Sequence, residues 1–486
     1  MFSILHISDL HRSPTEPLDN DALVAALIND RDRYICETPE VRSPDVIVVS
    51  GDIIQGESLG ASNWERSIKD QYVVASEFLE HLARRFLDGD RSRIVLVPGN
   101  HDVCWNTSFR AMQRVVEAEY PQSIPRAISS PNSIYRWRWD DKSLYRIHDL
   151  AQYENKLKAY FEFVEGFYRN STLPLPLDRR RGYQLYEYDS KRIGIVAFES
   201  VYRNDCFSTS GAVDAGILGR CSLDMRDRQH NYILKVGVWH HSVQGPPMNN
   251  DYMDINSVHG MTGYGFQLGL HGHQHEASAS TYNIQLTDRL NMAIVSAGSL
   301  CAGARELPRG QNRQYNIIVL SDDFRNARVH VREMTNGDHF SCKRNGLFIS
   351  GHVDVALLPT VDTVGRDIHP EIANERRISL KAEELVHTGQ PDQALELLKS
   401  LPLSNNTYQR TLALEAAKQA GSWQWINDFL EGCSSIGDKL LYLKALEQLC
   451  EFDKAIQFVG SIDDLDATFR NEIKERLTLL KSMRRK

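Results

Sequence analysis

With 486 residues, 25% of them charged and 42% hydrophobic, the chain has the composition of an ordinary globular protein of two domains. Its net charge of −8 argues against a surface that holds polyanions by bulk electrostatics, local patches aside, and no apolar run nears the ~18 residues of a membrane span. The first residues enter a strand without a basic stretch or cleavage site, and the 8 cysteines include no CxxC pair. A cytoplasmic protein with reduced thiols, no signal peptide and no membrane contact is expected.

In chain order, the apolar Phe2-Ser3-Ile4-Leu5-His6-Ile7 predicts a strand that empties into Asp9-Leu10-His11. A helix is expected over residues 21–33. The Val/Ile run after Pro44-Asp45 predicts a strand covered on both faces and ending in Gly51-Asp52. Val73, Val74, Phe78, Leu79, Leu82 and Phe86 recur at helical spacing and predict an amphipathic helix over 64–87. A third strand, 93–97, stops at Pro98-Gly99 and delivers Asn100-His101-Asp102. Three such side chains cannot all enter a core, so they line a cleft, bind a metal or cap a helix. This βαβαβ start puts its polar loops where open α/β sheets bind ligands.

Residues 104–190 turn helical and irregular, with 153–168 the clearest helix, and read as an insertion that roofs the cleft. Within it, Tyr135-Arg136-Trp137-Arg138-Trp139 and Arg179-Arg180-Arg181 have the residue types that stack on bases and contact phosphates. A half-buried strand and a solvated loop explain them without any ligand. Strands are expected again over 192–198, over 234–239 running into His240-His241-Ser242, and over 266–270 delivering His271-Gly272-His273-Gln274-His275. The Gly/Pro/Asn-rich loop 244–254 forms a rim between the last two. Strands near 292–297, 315–320 and 328–332 complete a first domain over 1–360. Past a turn-rich 359–370 the composition shifts to Leu, Ala, Glu, Gln and Lys. Gly389-Gln390-Pro391 is there echoed by Gly421-Ser422-Trp423 and Cys450-Glu451-Phe452. An all-α domain of tetratricopeptide-like helical repeats is expected over 371–486, with a plain helical bundle as the competing reading.

The polar strand ends supply Asp9, His11, Asp52, Asn100, His101, Asp102, His240, His273 and His275. Taken singly, each has a plain structural reading, since Asp and His often end strands and Gly51-Asp52 is a common turn. Together they make the inventory of a two-metal site. Two divalent cations roughly 3.5–4 Å apart need a shared carboxylate, several neutral imidazoles and a few oxygen ligands. Mixed Asp/His/Asn donors suit manganese first, with iron, zinc or cobalt as alternatives, and the thiolates of a structural zinc site are missing.

In this respect the chain resembles the calcineurin-like metallophosphoesterases, whose DxH, GD, GNHD, H and GHxH motifs occur here in order as Asp9-Leu10-His11, Gly51-Asp52, Gly99-Asn100-His101-Asp102, His240 and Gly272-His273-Gln274-His275. The fourth motif is commonly His-x-Pro; here it reads His240-His241-Ser242, and position favours His240 over His241. The resemblance covers residues 1 to about 335 and implies a β-sandwich flanked by helices, within an α/β class. It implies that Asp9, His11, Asp52 and His275 hold one metal, and that Asp52, Asn100, His240 and His273 hold the other. His101 is then left to stabilise phosphoryl oxygens or protonate the leaving group, with Asp102 orienting it or its loop.

The function so implied is a metal-dependent phosphoesterase in which water between the two metals attacks phosphorus in line. Retention of both His11 and His101 favours phosphodiesters, nucleic acid or a nucleotide among them, because an alkoxide leaving group needs an acid. A phosphoprotein phosphatase is one alternative. A scaffold with a binding-only core is another, and the intact ligand set argues against it. The helical tail is expected to meet a protein partner or a second copy of the chain.

Overall fold

The structure is a computed structural model. It describes residues 1–357 apart from 16–17, 130–132, 170, 172–180, 191, 228–231, 246–250, 284–290, 304–306, 309 and 336–338, and residues 375–484 apart from 376–377, 380, 384, 387–388, 404–406, 434–435, 461 and 463–466. The turn-rich stretch 359–370, Arg179 and Arg180 fall outside the described residues, as do residues 246–250 of the rim loop. The chain divides into two compact units, one of Met1–Ile284 with Arg289–Val361, the other built on Asp362–Lys486.

Two large sheets face one another in the first unit. In one, β1 (Phe2–Ile7), β2 (Val46–Val49) and β3 (Ile94–Leu96) run parallel. On the far side of β1, β13 (Gln314–Leu320) and β14 (Asn326–Thr335) follow antiparallel, and β14 carries both β15 (His339–Cys342) and β16 (His352–Ala356). The other sheet has a parallel centre of β8 (Ile193–Phe198), β9 (Leu234–Val238), β10 (Leu268–His271) and β12 (Asn291–Ser296). Antiparallel β7 (Tyr183–Tyr188) and β11 (Ser278–Asn283) close its two edges.

The alternation of side chains along a strand makes this a sandwich. On β8, Ile193, Ile195 and Ala197 enter the core that also holds Ile4, Val48 and Val95 of the first sheet. Val196 and Phe198 point the other way, into a cluster with Leu218 and Met261 from the helices Ala215–Asp227 and Ile255–Gly263. β12 divides in the same manner, Ala293 and Val295 to the shared core, Met292 and Ile294 to the helix side. The helices Asn20–Arg31 and Trp64–Phe86 add Leu23, Leu27, Phe78, Leu79 and Leu82 to the shared core. Val73, expected on that buried face, is 56% exposed.

The insertion is less helical than its sequence suggests. It contains a three-stranded antiparallel sheet of β4 (Met112–Arg114), β6 (Ser143–Ile147) and β5 (Tyr135–Arg138), and its last residues form β7 of the sandwich. Tyr135-Arg136-Trp137-Arg138 is thus a half-buried strand. Arg136 lies on the buried Asp205 at 2.5 Å and is not available to phosphate.

The second unit is helical through its described residues, with Pro391–Leu398, Thr407–Gln419, Trp423–Phe429, Ile436–Gln448, Phe452–Gly460 and Ala467–Arg484. The three sequence echoes mark one recurring turn. Gly389, Gly421 and Cys450 all have positive φ (76°, 68° and 64°), and the next N–H reaches back to Leu385, Ala417 and Leu446 respectively. Each is a left-handed turn closed by a backbone bond five residues back, the geometry of a helix C-terminus.

Candidate metal centre

The motif residues arrive from the carboxyl ends of parallel strands in both sheets: Asp9 and His11 after β1, Asp52 after β2, Asn100 to Asp102 after β3, His240 after β9, and His273 and His275 after β10. Glycines allow the loops to close on one another. A Cβ on Gly51, whose φ is +101°, would land on the His240 ring, and one on Gly272 would land on Ser8 and Asp9. Asp9, His11, Asp52, His273 and His275 themselves hold positive φ of 51°, 43°, 50°, 76° and 56°. Such backbone costs a non-glycine residue roughly 1–3 kcal/mol, and here it is concentrated on the residues that converge. Main-chain bonds lock the loops: Asp9 N–H donates to Gly51 O (3.1 Å), His11 N–H to Asp52 O (2.9 Å) and His273 N–H to Asp9 Oδ2 (3.1 Å).

Asp52 sits in the middle. Its Oδ1 accepts from the His101 N–H at 2.9 Å. Its Oδ2 faces three imidazoles, 3.2 Å from His240 Nε2, 3.9 Å from His11 Nε2 and 4.0 Å from His101 Nε2. On one side, His275 Nε2 lies 3.3 Å from Asp9 Oδ1 and 3.4 Å from His11 Nε2. On the other, Asn100 Oδ1 is 2.9 Å from His240 Nε2 and 3.0 Å from His273 Nδ1. The ligand atoms of Asp9, His11 and His275 converge as one group, those of Asp52, His240 and His273 as a second, and those of His11, Asp52 and His101 as a third.

This donor set fits divalent cations. His240 Nδ1 lies 2.9 Å from the Ser50 carbonyl, which only an N–H can satisfy. In the neutral form that a metal requires, the ring would aim its Nε2 lone pair at Asn100 Oδ1 and Asp52 Oδ2, acceptor facing acceptor, which a cation or a proton between them resolves. Asp9 Oδ1 and His11 Nδ1 are buried without a hydrogen bond. Asp9 and Asp52 are 0% and 2% exposed, and among the described residues no Lys or Arg pairs with either. Burying a carboxylate unpaired costs several kcal/mol, and a cation on each side of Asp52 removes that cost for the whole cluster. Oxygen and imidazole donors without thiolate are what such a cation takes.

The electrostatics agree. Burial, and then His101, push His11 down to about 4, leaving it the neutral ligand a metal requires. At His240 burial again opposes charge, but Asp52 and Asp9 override it and push the ring up to about 9, so the field there favours a positive charge. Asp52 is held well below the usual carboxylate range against its burial, by His240 and His101.

The remaining residues separate by orientation. His241, next to His240 on the strand end, turns away to Ser200 Oγ (2.9 Å) and to Asn204 Oδ1 and the Thr209 carbonyl (both 3.1 Å). His101 Nδ1 meets the Gln55 carbonyl at 2.7 Å, which leaves Nε2 toward Asp52. At 34% exposure His101 is the most open of the clustered imidazoles, and it lines a cavity of about 650 Å³ with Ser13, Thr15, Gln71 and Trp105. Asp102 does not touch the His101 ring. Its carboxylate accepts from Gly99 N–H (2.8 Å), Ile53 N–H (3.2 Å) and Tyr72 OH (2.9 Å), so of its two expected roles the geometry fits holding the loop. Burial, then Asp52, push it up to about 7. His6 and His271 are buried core residues outside the converging groups, and His259 bonds Tyr282.

Asp251 was not visible in the sequence, where it is one acid in a rim loop. Its Oδ2 lies 3.3 Å from His273 Nε2, behind the nitrogen that faces the centre, and its Oδ1 is buried without a partner. A carboxylate there fixes the tautomer and orientation of a ligating imidazole. Asp251→Asn is expected to weaken one of two metal-binding steps about 10- to 100-fold in a calorimetric titration and to spare the other. Two unchanged steps would make the contact incidental.

Residues 2–277 match the family model described as calcineurin-like phosphoesterase. No curated protein matches the chain. Solved structures to which the chain is similar include a dimetal phosphatase from Danio rerio (13% identity, TM-score 0.35, covering 74% of this chain and 99% of that one). Calcineurin-like phosphoesterase YfkN from Bacillus subtilis is similar at 12% identity (TM-score 0.32, 77% and 95% covered), and Vps29 from Chaetomium thermophilum at 9% (TM-score 0.27, 74% and 98%). The match to the family model spans more than half of the sequence and includes the motifs whose side chains converge here, so the chain belongs to the calcineurin-like phosphoesterase family.

Proposed function

We propose that the protein is a two-metal phosphodiesterase acting on nucleic acid or a nucleotide. Asp9, His11, Asp52 and His275 hold one divalent cation; Asp52, Asn100, His240 and His273 hold the other, with manganese the ion best suited to the donors. When bound, the cations supply Lewis acidity toward the phosphoryl group and acidify a water. The protein's own contribution is to fix the donors on interlocked strand ends and to present a proton.

The observation that carries the diester reading is His101. Its Nδ1 is engaged by the Gln55 carbonyl, so a second proton on the ring sits at Nε2, toward Asp52 and beside a cavity. A proton so held serves a leaving group that departs badly as an anion, such as a sugar alkoxide. The Asp102 carboxylate, bonded to two backbone amides, keeps the loop that carries His101 in place. The helical second unit is proposed to bind a protein partner or a second copy of the chain, because repeated helical hairpins leave a continuous face to fill.

The test is a comparison of kcat/KM on bis(p-nitrophenyl) phosphate, a nucleoside 5′-(p-nitrophenyl) diester, p-nitrophenyl phosphate and a phosphoserine peptide. Both diesters are expected to be the better substrates. Turnover confined to the monoester or the peptide would make the protein a phosphatase and sink the diesterase reading.

A further inference from the structure

A second cavity, of about 1490 Å³, lies among β5, the start of the helix Lys158–Tyr168, and residues 199–211 and 252–254. That is above the roughly 300–1,000 Å³ usual for a small-molecule pocket, so it has room for more than one nucleotide. Its floor is polar and incompletely paired. Lys156, only 5% exposed, donates to the carbonyls of Tyr202 (2.6 Å) and Asn204 (2.7 Å), and its Nζ lies 4.2 Å from the centroid of the Tyr153 ring. Glu199 makes no side-chain hydrogen bond among the described residues, although its charge and that of Lys156 act on one another. The hydroxyls of Tyr202 and Tyr252, which line the same cavity, are buried without partners. The neighbouring Arg136–Asp205–Tyr153 network is fully bonded by contrast, so the unpaired groups are not a general property of this region.

An unpaired buried polar group costs on the order of 1–3 kcal/mol, and the two tyrosine hydroxyls, beside Lys156 and Glu199, call for a ligand that both donates and accepts. The walls call for a flat one. Trp137 lines the cavity, and Trp139, 78% exposed, meets it edge-on with ring centroids 6.2 Å apart. Two of its wall residues lie next to neighbours of the ligands: Thr209 accepts from His241, which follows His240, through its carbonyl, and Tyr252 directly follows Asp251, which contacts His273.

We propose that this cavity binds the nucleobases of the substrate, stacked on Trp137 and Trp139, with Lys156 and Glu199 reading a base edge as donor and acceptor. The inference rests on the phosphodiesterase reading and names its substrate class. A deoxyribonucleotide and a single-stranded oligonucleotide share this chemistry, and the size of the cavity favours the oligonucleotide.

The test is quenching of intrinsic tryptophan fluorescence of the full chain in EDTA, titrated with TMP, dAMP, a single-stranded hexadeoxynucleotide and an acidic peptide. The oligonucleotide is expected to bind most tightly. Trp139→Leu, with an unchanged thermal melt, should weaken it about 5- to 100-fold, the loss of one base stack. Glu199→Gln should change the preference among homopolymeric hexamers. Wild-type affinity in both variants, or quenching by the peptide alone, would overturn the assignment. Hydrolysis of bis(p-nitrophenyl) phosphate by the wild-type protein separates the two claims. If that ester is cleaved and no nucleotide binds, the cavity assignment fails while the phosphodiesterase reading stands. If the ester is not cleaved, the function fails, and quenching still decides the cavity.

Discussion

Alanine at position 52 is expected to leave the protein with neither metal and with no measurable phosphoesterase activity. One carboxylate oxygen of Asp52 faces His11 on one side and His240 on the other, while its second oxygen is held by the His101 amide. Removing it therefore takes the shared ligand from both cations and the anchor from the loop carrying His101. Loss of Asp9 or His275 alone removes a donor from one side only. The variant is also expected to be less stable in the absence of metal. Asp52, 2% exposed, is held well below the usual carboxylate range by His240 and His101 against its burial, so folding favours its charge, and its removal leaves the His240 ring without a carboxylate partner. In EDTA, Asp52→Ala should melt below the wild-type temperature; with manganese only the wild-type protein should gain further. Metal content by mass spectrometry with paired melts checks both halves. A variant that keeps one full equivalent of metal would contradict the sharing.

His101→Asn is expected to cost a factor of roughly 10² to 10⁴ on a nucleic-acid or nucleotide diester, with metal retained. On p-nitrophenyl esters the loss should be much smaller, because p-nitrophenolate departs without a proton. The split between the two substrates reads out proton donation, and a purely structural role for His101 would not produce it. Equal losses would assign the residue to the charge on the phosphoryl oxygens. Because His11, Asp52 and His101 also converge, metal analysis of the variant is part of the experiment. Loss of metal would make His101 a ligand.

The central parallel strands were legible because strands buried on both faces read as unbroken Val/Ile runs, and their carboxyl ends are the loops that must carry polar residues. The nine residues singled out at those ends do lie together, apart from the Asp102 carboxylate, which turns to the backbone. What stayed hidden depends on pairing partners. β4, β5 and β6 are three to five residues long, carry arginines, and are strands only because they hydrogen-bond to each other. β7 intersperses Gln184 and Glu187 among its Tyr and Leu residues and gains its identity from β8. His240 and His241 are indistinguishable by type and part only because successive residues of a strand end face opposite ways. Asp251 owes its contact to where its loop returns, which spacing does not encode.

The central claim is that this cluster holds two divalent cations on which hydrolysis depends. Protein stripped with EDTA, shown by mass spectrometry to be free of metal, should not cleave bis(p-nitrophenyl) phosphate. Activity should return on adding manganese and reach its plateau at two equivalents per chain. Full activity in the metal-free protein, or a plateau at one equivalent, would contradict the account.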